Sequence, residues 1–154
     1  MKFTGESLPL RKGFFMIDIS PASQSELEVI DEAITNFNIA IASELPRAIL
    51  YRLDFSAKDK KGELLGAIQA KRVNWGILEI ELLFVFEKHR YKGIASHLLQ
   101  YVEQSARDHQ CHIAHLDTFD FQAKDFYLKQ GYSIFGTLEN ASQGHCRYYM
   151  KKEL

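Results

Sequence analysis

The chain has 154 residues, 46% hydrophobic and 25% charged, with a formal net charge of −1. That length suits one domain around one sizeable core, and a near-zero charge argues against a nucleic-acid binder, whose affinity rests on neutralising phosphates with a basic surface. No apolar run approaches the ~18 residues of a membrane span, and residues 1–15 hold Glu6 and two lysines without a signal peptide's apolar stretch and small-residue cleavage site, so the cytoplasm is the expected compartment and no membrane partner is expected.

The elements follow in chain order. Residues 14–19 form a short apolar run that suits a first strand. Ser23 and Glu26 stand in an S-x-x-E capping box. Behind it Leu27, Ile30, Ile34, Phe37, Ile41 and Leu45 recur at three- and four-residue steps, which predicts one amphipathic helix, or two consecutive ones, ending near Pro46. Strands are expected over 48–55, 64–73 and 77–86, with turns at 58–62 and 74–76. The dense basic stretch Lys58, Lys60 and Lys61 is interleaved with Asp59 and reads as a solvated turn.

From Gly93 the period changes. Ile94, Leu98, Tyr101, Val102 and Ser105 share one helical face as far as about His109. A strand over 111–116, a short helix over 121–130 stopped by Gly131, a strand over 132–138, a turn over 140–144 and a last strand over 146–150 complete the chain. There are no repeats and no linker, so a single domain over 1–154 is expected. The order β-α-β-β-β-α-β-α-β-β implies an α/β (α+β) architecture, a mixed sheet with helices on both faces.

Cys111 and Cys146 lie 35 positions apart with no C-x-x-C pair, so free thiols are expected. Cys111, His112 and His115 invite a metal reading, but on an apolar strand their spacing shares a face without building a ligand cage, and no metal is expected. Asn140-Ala141-Ser142 is a glycosylation sequon without meaning in a cytoplasmic chain.

The chemistry concentrates in Arg90-Tyr91-Lys92-Gly93-Ile94-Ala95, which ends a long strand and opens a helix. A helix N-terminus carries unpaired N–H groups and partial positive charge. A glycine at the turn lets a phosphate approach the backbone, and Arg90 and Lys92 add charge. Through this segment the chain resembles the GNAT superfamily of acetyltransferases, whose R/Q-x-x-G-x-G/A loop after the fourth strand grips the pyrophosphate of coenzyme A. A second stretch, Ala123-x-x-Phe126-Tyr127-x-x-x-Gly131-Tyr132, resembles that family's A-x-x-x-Y-x-x-x-G-F signature.

The resemblance covers residues 64–154 by motif and the N-terminal half by element order alone. It implies the family's mixed, mostly antiparallel sheet of six to seven strands and acetyl-CoA as co-substrate. The implied cofactor contacts are Arg90, Tyr91, Lys92, Gly93, Ile94, Ala95 and Ser96 at the phosphates, Leu83, Phe84 and Val85 along the strand, and Ala123 and Phe126 on the later helix. A backbone N–H near 83–85, where the fourth strand splays from its neighbour, is the implied oxyanion donor. The sequence departs from the family at Asp120, where an asparagine often touches the cofactor. A carboxylate beside a polyanion costs affinity, so Asp120 is read as turned away or as capping the next helix.

An alkyl ammonium, with a pKa near ~10.4, must lose a proton before it attacks a thioester, so a base is needed. Glu79 and Glu81 are the candidates. Strict alternation places them together on the second face of their strand, with Leu78, Ile80, Leu82, Phe84 and Phe86 on the other. Two like charges side by side predict a raised pKa, while the plain alternative is a salt bridge to Arg72 on the paired strand. Tyr127 by position alone is a core aromatic; the motif match makes it the acid that meets the departing thiolate. His145 and Arg147 form a weaker lead at a hairpin end. The expected acceptor is a small-molecule amine. A protein lysine or N-terminus, a non-catalytic acyl-coenzyme A-binding module and an aminoacyl-tRNA remain as alternatives, the last disfavoured by charge. Assembly stays open between monomer and homodimer.

Overall fold

A computed structural model describes residues 19–42, 50–73 and 75–154. The chain divides into two compact units, Met1–Leu45 and Pro46–Leu154.

The first unit contains helix α1 (Gln24–Ile41). Its start follows from sequence. Ser23 Oγ accepts from the Glu26 N–H, and the Glu26 carboxylate accepts from the Ser23 N–H at 2.7 Å, which closes the expected capping box. The strand expected at 14–19 lies, but for Ile19, outside the described residues, as does the approach to Pro46.

The second unit is a seven-stranded, mostly antiparallel sheet with two helices. Its elements are β1 (Tyr51–Arg52), β2 (Phe55–Lys58), β3 (Leu64–Val73), β4 (Ile77–Val85), a 3₁₀ turn (Glu87–His89), α2 (Ile94–Asp108), β5 (Ile113–Phe119), α3 (Lys124–Lys129), β6 (Ser133–Ser142) and β7 (His145–Glu153). The sheet order is β1-β3-β4-β5-β7-β6, with β2 also paired to β3. Every pairing is antiparallel except β4 with β5, which α2 connects as a crossover. A core of Ile68, Ala70, Leu78 and Ile80 from the sheet packs against Leu98, Leu99, Val102 and Ala106 of α2.

The strand expected over 48–55 is broken. Asp54 stands at the break, where its carboxylate accepts from the Ala70 N–H at 3.1 Å while the Leu53 N–H donates to Ala70 O. The expected strict alternation along β4 also fails. Gln69 pairs with Leu82 and Ala70 with Ile80, so Glu81 is an extra residue, a bulge. The phase of the strand reverses there. Leu78 and Ile80 are buried before it, and Leu83 and Val85 turn inward after it, while Leu82 and Phe84 are exposed. Among the described residues no helix is long and apolar enough to cross a membrane.

Candidate active site

The site begins where β4 leaves β5. The two strands pair only through Ile77–Ile113, Leu78–Ala114 and Glu79–His115. Beyond that point β5 stays on β7 as far as Phe119, and β4 bulges at Glu81 and runs on to Val85 beside β3 alone. The C-terminal half of β4, which holds Leu83, Phe84 and Val85, therefore has no ladder partner on its β5 side. A backbone edge left unpaired beside an opening must bond water or a ligand. The divergence starts at Glu79, several residues before the 83–85 expected from the family.

The loop expected to hold phosphate, residues 90–96, follows directly. Arg90 Nε donates to Val85 O at 3.1 Å, and its guanidinium lies 5.6 Å from the centre of the Phe84 ring, so the loop is fastened to the end of β4. Tyr91 and Gly93 both take positive φ, 61° and 79°. Gly93 is the N-cap of α2 and supplies no side-chain acceptor, and the first turn contains no acidic residue. The N–H groups of Ile94, Ala95 and Ser96 thus open the helix without a protein cap. This is the arrangement that an anion completes, and it fits a pyrophosphate. Among the described residues, a Cβ at Gly93 would meet only the His97 ring, at 3.6 Å. The local demand for glycine comes from φ, since an L side chain is strained there.

Tyr127 lies on α3, only 6% exposed and packed edge-on against Phe126 and Tyr132. Its hydroxyl has no hydrogen-bond partner among the described residues, yet it is not one of the polar atoms sealed from solvent. Burial, and then the charge of Asp117, push its pKa up to about 12. A phenol in that state stays protonated and free to donate. Ala123 is the N-cap of α3 and packs against the core with Phe126.

Glu79 and Glu81 do not form the mutually repelling pair expected. Lys71 Nζ lies 2.6 Å from Glu81 and 3.3 Å from Glu79, and Arg52 donates to Glu81 at 2.6 Å. The Glu81 pKa moves opposite to the expectation: hydrogen bonds from Lys71, then Arg52, hold it below the ordinary glutamate value. The expected partner Arg72 sits across from Leu78 instead, because the register sets Lys71 opposite Glu79. Among the described residues Arg72 Nε is buried without a partner. The register and the bulge, which a lone sequence does not display, hid the roles of Lys71 and Arg52.

Asp120 follows the end of β5, where its side chain is held by the start of β7. Its carboxylate accepts from His145 Nδ1 at 3.0 Å and from the Cys146 N–H at 3.2 Å. Burial works to raise its pKa, but those partners outweigh it and hold the carboxyl below the usual aspartate value. The capping alternative is not met: Thr118 Oγ1, not Asp120, accepts from the Ala123 N–H. Arg147 pairs with Asp117 at 2.5 Å, so both members of the weaker lead are bound to carboxylates at the end of β5.

The family model described as "Acetyltransferase (GNAT) family" matches residues 24–132. A blasticidin-S acetyltransferase of Streptomyces morookaense is 32% identical over 96 residues, 62% of this chain and 70% of that protein. An acetyltransferase of Agrobacterium fabrum is 27% identical over 139 residues, 90% of this chain and 97% of its own length. The crystal structure of an acetyltransferase from Bacillus cereus superposes with a TM-score of 0.81 at 29% identity, covering 92% of this chain and all of that one.

Proposed function

The chain belongs to the acetyltransferase (GNAT) family, and from that premise we propose that it moves the acetyl group of acetyl-CoA directly to the amine of a small molecule within a ternary complex. The observation that carries this reading is the uncapped start of α2, set immediately behind a strand that has parted from its parallel neighbour. The pyrophosphate of acetyl-CoA rests on the N–H groups of Ile94, Ala95 and Ser96, with Arg90 and Lys92 beside it. The thioester end lies along the free edge of β4, where backbone N–H groups around Leu83 to Val85 face the carbonyl oxygen as it gains charge.

The amine nitrogen attacks the thioester carbon and the carbon–sulfur bond breaks. Glu79 takes the amine's proton through water. Of the two carboxylates it is the one not bound by both cations, whereas Glu81, held ionised by Lys71 and Arg52, is a weak base that braces the bulge. Tyr127 donates its hydroxyl to the departing thiolate, which suits a phenol without a protein partner.

A small-molecule acceptor is supported by the relative that acts on blasticidin S. Reading the chain as one domain is supported by the family match, which runs across the boundary between the two compact units. A cytoplasmic setting is supported by two free cysteines, Cys111 and Cys146. The test is release of free coenzyme A from acetyl-CoA across a panel of amines that includes nucleoside and aminoglycoside antibiotics, polyamines and peptides. Turnover above the hydrolytic background is expected on at least one small amine. Turnover on peptide amines alone would overturn the acceptor class.

A further inference from the structure

The deepest charge in the second unit takes no part in the reaction just described. Glu103 lies in the middle of α2 and is 2% exposed. Tyr132 Oη donates to its Oε1 at 3.0 Å, Lys152 Nζ from β7 donates to its Oε2 at 2.7 Å, and Arg107 lies 3.9 Å away, one helical turn on. Its neighbours along the helix, Leu99, Val102 and Ala106, are fully buried and apolar. An apolar side chain at position 103 would fill the same space. A buried ion pair is weak evidence for stability and is often no better than a well-packed hydrophobic group. What a carboxylate adds is direction, because two hydrogen bonds fix where its partners stand.

Those partners lead to Tyr127. The Tyr132 backbone N–H donates to the Tyr127 carbonyl at 3.0 Å and closes the end of α3, while the Tyr132 ring meets the Tyr127 ring edge-on at 5.7 Å. Gly131, at φ 87°, makes the turn that allows both contacts. Lys152, the second partner of Glu103, lies 5.5 Å from the Tyr132 ring centre and confines it from the β7 side. Glu103 also stands on the helix whose first turn forms the phosphate loop, ten positions after Gly93 or about 15 Å at 1.5 Å per residue.

We infer that Glu103 is a positioning residue: acting through Tyr132, it sets the Tyr127 hydroxyl at a fixed distance from the phosphate loop, so that one rigid helix aligns the two ends of acetyl-CoA. This inference rests on the proposed role of Tyr127 as the acid. It explains why a carboxylate occupies a site where packing alone would favour a hydrocarbon.

The test is a double-mutant cycle on the full chain. Tyr132→Phe removes one hydrogen bond and leaves the Glu103–Lys152 pair. It is expected to lower kcat about 10-fold through misplacement of the phenol, with acetyl-CoA affinity by calorimetry unchanged within about 2-fold. In the background of Tyr127→Phe the same change should cost nothing further, because its effect passes through the missing hydroxyl. Should Tyr132→Phe fail to fold, Glu103→Leu combined with Lys152→Met replaces it in the cycle, since the pair removes the acceptor for Tyr132 and its buried cation together. A lowered melting temperature with unchanged kcat at 25 °C, or losses that add in full in the double variant, would overturn the positioning role. Wild-type turnover by Tyr127→Phe alone would overturn the acid reading, and this inference with it, and that arm is read separately from the cycle.

Discussion

Two helices of this chain begin in opposite ways. At α1, Ser23 and Glu26 satisfy each other's groups and close the N-terminus from within. At α2, Gly93 offers no side chain, the first turn holds no acid, and the leading N–H groups face outward. The same contrast recurs around the sheet. Glu81 is closed by Lys71 and Arg52, whereas among the described residues the Tyr127 hydroxyl has no protein partner and the C-terminal half of β4, paired with β3, has none on its β5 side. Unmet polar groups near a core are costly. That the chain caps one helix fully and leaves the other open at a strand junction is the basis on which we propose that a ligand supplies the missing partners. Changes at open groups should therefore damage activity more than stability, and changes at closed groups the reverse.

The largest effect is expected at Tyr127. Tyr127→Phe should lower kcat by on the order of 10- to 1,000-fold, the loss of one transition-state hydrogen bond, with the melting temperature nearly unchanged because the ring stays in place. Its raised pKa adds a pH test. A folded value of about 12 lies above the unfolded value near 10, so the stability from the neutral phenol is complete below pH ~10 and is lost as pH rises through the folded value. Wild-type kcat should accordingly show no fall from Tyr127 ionisation below pH ~11. A fall centred near pH 9 that disappears in Tyr127→Phe would refute this.

Next comes the open helix. Ala95→Glu places a carboxylate among the donors of the α2 first turn, closing it much as Glu26 closes α1. The expected loss of acetyl-CoA affinity is roughly 10- to 100-fold, equal to one charge-assisted hydrogen bond of about 1.5–3 kcal/mol. Calorimetry reads it directly, and unchanged affinity would remove the phosphate from this loop.

A smaller effect separates the two carboxylates of β4. Glu79→Gln should lower kcat/KM about 10-fold, most at low pH, with partial recovery as the amine becomes neutral unaided. Glu81→Gln should change the rate little and reduce stability instead. The Glu81 pKa is depressed in the fold, so its contribution is present above the unfolded glutamate value and disappears as pH falls through the lower folded one. Melting temperatures of wild type and Glu81→Gln should thus converge toward acid pH. A gap that widens there would show the ion pairs to be mere neighbours.

Much of this was legible from residues alone. β3 spans 64–73 as its β-formers and flanking turns predict, and α2 begins at Ile94 as the change of period predicts. The motif residues 90–96, 123, 126 and 127 fall where a strand–helix junction and a second helix place them. What sequence hid was a matter of register. The bulge at Glu81 inserts one residue into a run in which apolar side chains occupy both alternations, so no residue type announces it. β5 was expected over 111–116 but runs 113–119, because the polar Asp117 and Thr118 mask a ladder completed by Tyr149 and Tyr148 of β7. The helix expected over 121–130 shrinks to 124–129, since the stretch before it is held as a turn by Asp120, Thr118 and Gln122. Long-range pairing decided the first two, and the turn before α3 adds the distant Cys146 to local side-chain bonds from Thr118 and Gln122; composition carries no record of these partners.

The smallest effect belongs to the closed end of the comparison. Ser23→Ala removes the acceptor for the Glu26 N–H and one arm of the capping box. Such a change costs a helix about 1 kcal/mol. Glu26 loses a partner as well: its pKa is lowered chiefly by the Ser23 backbone N–H and then by the Ser23 hydroxyl, so the second contribution goes and the first persists. The helix signal in circular dichroism should therefore melt a few degrees earlier. Acetyl-CoA affinity should stay within about 2-fold, since that site draws on the α2 N–H groups, which no side chain caps. If Ser23→Ala instead weakened acetyl-CoA binding as strongly as Ala95→Glu, the internally capped helix would be serving the ligand too, and the division between closed and open helix ends would fail.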